Sequence, residues 1–167
     1  MSVKDQVDTY INAVRPRYED MLAQAVEIPS ISMDPKHAPD IGRMAELAAQ
    51  YLRDAGAEAH IVQTPGYPVV SGGWTLNPAY PTVTIYNHMD VQPAQEPEWK
   101  QAPFAFQKDN GLYRGRGATD DKGPALAALF DPQWISLILK RQRYDGAWLG
   151  EPLYVVPPRG ETASWYA

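Results

Sequence analysis

The sequence predicts an α/β protein, and three observations carry that expectation. Apolar residues recur at helical spacing up to residue 52. Short alternating, β-like runs follow Gly56. A helix then opens beside Pro124. Helices, then strands, then a helix are the ingredients of layered α/β architecture.

The elements follow in order. Val3, Val7, Tyr10, Ile11 and Val14 share one helical face, and Pro16 is expected to end or kink that helix. Tyr18, Met21, Leu22, Ala25 and Val26 continue the period until Pro29 in "IPSIS" stops it. Residues 34–39 read as loop, with Asp40 as the expected N-cap of the next helix. Ile41, Met44, Leu47, Ala48, Tyr51 and Leu52 form that helix's apolar face, and Gly56 stops it. "AEAHIVQT" and "YPVVSGGW" read as strands divided by Pro65-Gly66. "PTVTIYNHM" alternates and reads as a third strand. The Asn110-Gly111 pair in "DNGLYRGRG" signals a hairpin. The helix at "GPALAALF" is expected to be cut short by Asp131-Pro132, because a residue before proline avoids the helical region.

Composition narrows the function. The 167 residues are 44% hydrophobic and 21% charged, which suits one globular domain or a piece of a larger one. Net charge is −5 with no basic run, so nothing marks a nucleic-acid partner. With no cysteine, disulfides and thiolate metal sites are excluded. No secretory leader is evident in "MSVKDQVDTYINAV" and no apolar run has membrane length, so neither a membrane partner nor export is expected; a cytoplasmic location is.

Two stretches carry chemistry. "TIYNHMDVQP" places His88 two residues before Asp90, and "YRGRGATDDKGP" places Asp120 and Asp121 in a glycine-rich turn. An imidazole can bind a divalent metal through one nitrogen while a carboxylate takes the other N–H and fixes the tautomer. In extended chain, residues two apart share a side, so His88 and Asp90 suit that division of labour. Asp120 offers a second carboxylate. Taken singly, His-x-Asp also fits a chance surface pair, and Asp-Asp a solvated turn or helix cap. The turn is neither a dinucleotide fingerprint nor a phosphate loop, because Asp120 stands where a third glycine would be and Lys122 precedes Gly123 rather than Ser or Thr. No G-x-S-x-G occurs for a serine hydrolase. His37 reads as an exposed loop residue and His60 as a surface or half-buried strand residue.

Together the two motifs say more. The run from Pro81 to Phe130, with H-M-D-V-Q-P, the spacing of Trp99, Pro103 and Phe104, and G-R-G-A-T-D-D-K-G, closely resembles the di-zinc metallopeptidase family of carnosine dipeptidases, aminoacylases, succinyl-diaminopimelate desuccinylases and glutamate carboxypeptidases. "EIPSIS" and "PVVSGGW" also resemble segments of its dipeptidase branch. The resemblance implies part of a catalytic domain of zinc-peptidase-like fold, with N-terminal helices followed by a mixed sheet and flanking helices. It implies His88 and Asp120 as metal ligands, Asp120 bridging two Zn2+ ions, and a catalytic role for Asp90 as the carboxylate orienting His88. Mn2+ or Co2+ are alternative metals. It further implies a cis peptide at Asp120-Asp121, and hydrolysis of a dipeptide or N-acyl amino acid by metal-activated water. Family members are often homodimers through an inserted domain, which this chain does not show.

The family pattern also lapses. Relatives carry a later Glu-Glu pair, its first member the general base, and further ligands; no Glu-Glu occurs here and no histidine follows His88. Residues 131–167 hold three of the five tryptophans and four prolines without a clear period. The expectation is therefore a division into 1–130, the N-terminal part of a metallopeptidase catalytic domain, and 131–167, an unmatched and poorly packed tail. The alternative function is a catalytically inert, truncated or frame-shifted fragment.

Overall fold

The computed structural model describes residues 3–75, 78, 82 and 84–129, all of which fall in the compact unit Met1–Pro132. The expectations for residues 131–167 lie outside the described residues.

Helix α1 (Val3–Val26) runs through Pro16 without interruption. The expected break does not occur. Proline deprives the carbonyl of Asn12 of its helical donor, but both residues are exposed, so water can take that donor's place. The loop over 34–39 is more ordered than expected. Asp34 caps a 3-10 turn (Pro35–His37) by accepting from the Lys36 N–H, and α2 (Ala38–Asp54) starts directly after it. Asp40 is thus not the N-cap. It sits in the first turn of α2, where a carboxylate complements the helix dipole, and binds His37 Nδ1 at 2.7 Å and Arg43. His37 is accordingly half-buried and paired rather than merely exposed.

The apolar faces meet as their periods require. Met21, Leu22, Ala25 and Val26 of α1 pack with Met44 and Tyr51 of α2 and Leu126 of α3 (Lys122–Leu129). Burying one such side chain is worth about 1.5–3 kcal/mol. Tyr51 spends its hydroxyl on the Met21 carbonyl at 3.1 Å, and burial pushes that phenol up to about 12.

Strands β1 (Glu58–Val62) and β2 (Val69–Gly73) pair antiparallel, as do β3 (Gln107–Asp109) and β4 (Leu112–Arg114). Asn110 and Gly111 both have positive φ, 48° and 77°, the requirement of a two-residue type I′ hairpin turn. A parallel bridge joins Ile31 to Val91. The α/β class therefore holds, with both pairing senses present. The expected strand over "PTVTIYNHM" is not formed among its described residues: 84–90 run as irregular chain. Alternation alone makes no strand. A ladder partner is needed, and Tyr86 is instead 85% exposed. Among the described residues, no helix is long and apolar enough to cross a membrane.

Candidate active site

Residues 28–31, just past the end of α1, organise the site. Ser30 is wholly buried; its hydroxyl donates to the Met89 carbonyl at 2.7 Å, and its own carbonyl accepts from Val91 N–H at 2.9 Å. These bonds dock the segment that carries His88. The second segment arrives through the glycine-rich turn. Arg116 N–H donates to the Pro103 carbonyl at 2.7 Å, and the Arg116 guanidinium lies 5.2 Å from the Trp99 ring centre while pairing with Glu96. Glu96 also accepts from Trp99 Nε1 at 2.8 Å. Its own backbone N–H, then Trp99 and Arg116, hold its carboxyl down at about 2. Trp99 and Pro103, noted in the sequence for their spacing, thus grip the turn. At Gly117 (φ 86°) an added Cβ would stand 2.8 Å from Val91 Cγ1, so side-chain-free backbone is what lets the two segments touch.

The expected site residues come together. His88 Nε2 stands 3.1 Å from Asp120 Oδ1. On the other side of the ring, Nδ1 lies 3.2 Å from the Asp90 carbonyl and 3.3 Å from Asp90 Oδ1. The peptide between Asp120 and Asp121 is cis. Burial opposes charging of His88, but the Asp90 carbonyl and the carboxylates of Asp90, Asp121 and Asp120 outweigh it, so its pKa is raised. His60 lies apart from the site, exposed and beside Glu58 at 3.2 Å.

Two residues take roles that the sequence does not assign, Asp121 being read there as no ligand. Asp121 accepts the His88 backbone N–H through Oδ2 at 3.1 Å, holding the residue whose ring Asp120 meets. Lys122 is fully buried and donates to the carbonyls of Ala25 and Ile28 at 2.8 and 2.7 Å. Burial pushes its ammonium down to about 7, against the pull of the Asp90 carboxylate. The sequence does hold a signal for it: Lys122 is the one charge at the head of the apolar run "KGPALAALF".

One imidazole nitrogen and one carboxylate oxygen converging from separate segments suit a divalent metal of intermediate hardness, such as zinc. Asp90 and Asp120 flank opposite ring nitrogens, so a metal on Nε2 would meet Asp120 and not Asp90. Consistent with that, no group of three or more His, Cys, Asp or Glu gathers around one point among the described residues. The pair fits part of a coordination shell.

Comparison with known proteins gives one consistent result. Residues 84–130 match the family model described as peptidase family M20/M25/M40. The chain is 36% identical over 147 residues to a Cys-Gly metallodipeptidase of Schizosaccharomyces pombe, covering 80% of this chain and 29% of that protein. It is 34% identical over 126 residues to a Beta-Ala-His dipeptidase of Rattus norvegicus, covering 68% of this chain and 24% of the relative. The crystal structure of human carnosine dipeptidase 1 superposes with a TM-score of 0.69 at 31% identity, over 77% of this chain and 30% of that one. The chain therefore spans less than a third of the length of these relatives.

Proposed function

Because this chain belongs to peptidase family M20/M25/M40, whose members it resembles are metallodipeptidases, we propose that it carries part of the active site of a metal-dependent hydrolase that cleaves the amide bond of dipeptides or N-acyl amino acids. The observation that carries the reading is the approach of His88 Nε2 to Asp120 Oδ1 at 3.1 Å, from segments 32 residues apart. Residues 1–130 then belong to the catalytic domain.

In this reading His88 and Asp120 would hold the metal, with Zn2+ as the ion. When bound, the metal supplies Lewis acidity, lowering the pKa of water and polarising a carbonyl. The protein's own contribution is proton placement and orientation. Asp90 accepts the His88 Nδ1–H, which leaves Nε2 as the nitrogen that can present a lone pair. Without metal, and at pH values below its raised pKa, His88 carries a second proton on Nε2, donated to Asp120. That proton occupies the place a metal would take, so binding must release it.

Zinc titration of the full 167-residue chain, with proton release followed in weak buffer, tests the assignment. Proton release that approaches one per zinc as pH is lowered below the His88 pKa, and loss of binding in His88→Ala, are expected, with Asp120→Asn weakening it. Undiminished binding in His88→Ala would sink the reading. With Zn2+, Mn2+ or Co2+ added, any hydrolysis of dipeptides should vanish with chelator and in the same variants.

A further inference from the structure

Asp120, Asp121 and Lys122 are consecutive, and each side chain has a different target. Asp120 faces the His88 ring, Asp121 holds the His88 amide, and Lys122 reaches back to the end of α1. The last contact is unusual in kind. A wholly buried ammonium donates to Ala25 in the final turn of the helix and to Ile28 just beyond it. Both carbonyls already accept a backbone N–H, Ala25 from Ile28 and Ile28 from Ser30, so the lysine Nζ adds a second donor to each and ties them to the distant turn.

The placement matters because of what else that stretch holds. Two residues after Ile28, Ser30 fastens Met89, next to His88. One short stretch of backbone thus receives Lys122 from one motif and the His88 segment from the other. The Lys122 stem also lies against Gly117, where an added Cβ would come within 3.0 Å of Lys122 Cδ, and its N–H donates to the Gly117 carbonyl at 3.0 Å. The lysine therefore reaches from Gly117 within the glycine-rich turn to the helix end behind it.

We infer that Lys122 is a positioning residue: it locks the Asp120–Asp121 turn to the end of α1 and thereby fixes where Asp120 and Asp121 stand against His88. The inference deepens the metal-site reading and rests on it for its functional meaning, but its test does not depend on metal. A longer reach than an aspartate or serine offers is required to cross from the turn to α1, and a donor is required at the far end, which an apolar chain of equal length lacks.

The experiment is amide hydrogen exchange, residue by residue, on the metal-free full chain. In Lys122→Met the His88 amide should lose at least tenfold of its protection, because Asp121 no longer has a fixed place from which to hold it. Amides of Ala48 and Ala49 in α2 should keep theirs. Lys108→Met removes a surface ammonium paired with Glu19 and should change neither. An unchanged His88 amide, or α2 amides losing protection in step with it, would overturn the inference, the second result reducing Lys122 to general stability. Should Lys122→Met fail to fold, Lys122→Gln keeps an N–H donor of shorter reach; the same selective loss is expected, and its absence overturns the inference equally. Zinc binding by His88→Ala judges the metal reading separately. A chain that binds no zinc would end that reading and leave the exchange result standing.

Discussion

The helical body and the site-bearing segments of this chain are held by different forces. Leu22, Ala25, Val26, Ala49 and Leu126 are completely buried, and the joint between α1, α2 and α3 is mainly apolar burial, with hydrogen bonds from Lys122 and Tyr51 added across it. The segment through His88 has little of that burial. Ile85 is 52% exposed and Tyr86 more so, and the chain is pinned instead by single polar bonds: Ser30 to Met89, Asp121 to the His88 amide. Burial is spread over many atoms and tolerates error. A segment pinned by a few bonds depends on each, and it leaves ring and carboxylate accessible to a ligand. Ordered chemistry on thinly packed backbone is what such an arrangement provides.

The largest effect should come from the body. Leu22→Ala removes buried methyl groups from the centre of the core and is expected to lower stability by about 2–5 kcal/mol. Urea unfolding should show the loss with every probe at once. If the His88 amide kept its protection while the helices melted, the two regions would not share the support that residues 28–31 supply.

This division also explains what was legible in the sequence. The apolar faces of α1 and α2 and the Asn110-Gly111 turn are written in local patterns, because the spacing of neighbours along the chain decides them. His88, Asp90 and Asp120 were legible as motifs, and their convergence was expected from the family resemblance. The strand over "PTVTIYNHM" was misread because alternation says nothing about whether a partner strand exists. Pro16 reads from the sequence as an end or a kink, and the helix does not end there, because the cost of proline depends on whether the carbonyl it strands can reach water. Ser30 and Lys122 were passed over for one reason: their partners lie 59 and more than 90 residues away, and no local period reports a side chain aimed at a distant carbonyl.

Ser30→Ala sharpens the comparison. It leaves the half-buried Met89 carbonyl without its donor, an omission worth up to about 1–3 kcal/mol. The expected signature is local. Exchange at His88 and Val91 should quicken while amides within α2 stay protected. A uniform loss would mean that the serine supports the body as much as the site.

Acidity should set the two properties of the site against each other. The His88 pKa is raised in the folded chain, so its contribution to metal-free stability is fully present below about 6.5, the ordinary histidine value, and is lost as pH rises through the raised folded value. His88 is 40% exposed in its side chain, so this stability term is small. Metal binding has the opposite sign, since it must displace the Nε2 proton. Below the raised pKa, zinc affinity should fall by about tenfold per pH unit from this group alone. Chelator competition at several pH values measures it. An affinity indifferent to pH across that range would mean that zinc does not use His88.

The smallest effect should come from the β3–β4 turn, and it tests whether that hairpin belongs to the body or to the site. Gly111 has φ 77° and nothing within 4 Å of an added Cβ, so Gly111→Ala is opposed by backbone conformation alone, at about 1–2 kcal/mol. The hairpin is fastened to α1 through Glu19, which accepts from Lys108 Nζ at 2.9 Å and from the Tyr113 hydroxyl at 2.9 Å, and Tyr113 packs against Phe106. Those contacts tie it to the helical body. Yet Arg114, the last residue of β4, leads straight into the Gly115–Asp120 turn, so distortion could also travel along the chain to the carboxylate. Arg116, held by Glu96, Trp99 and the Pro103 carbonyl, stands between them as an anchor. With that anchor intact, Gly111→Ala should shift the urea midpoint while leaving zinc affinity and His88 amide exchange at wild-type values. Removing the anchor as well, in Gly111→Ala with Arg116→Met, should let the same turn defect reach the site and weaken zinc binding beyond the effect of Arg116→Met alone. Equal effects with and without Gly111→Ala would place the hairpin wholly with the body.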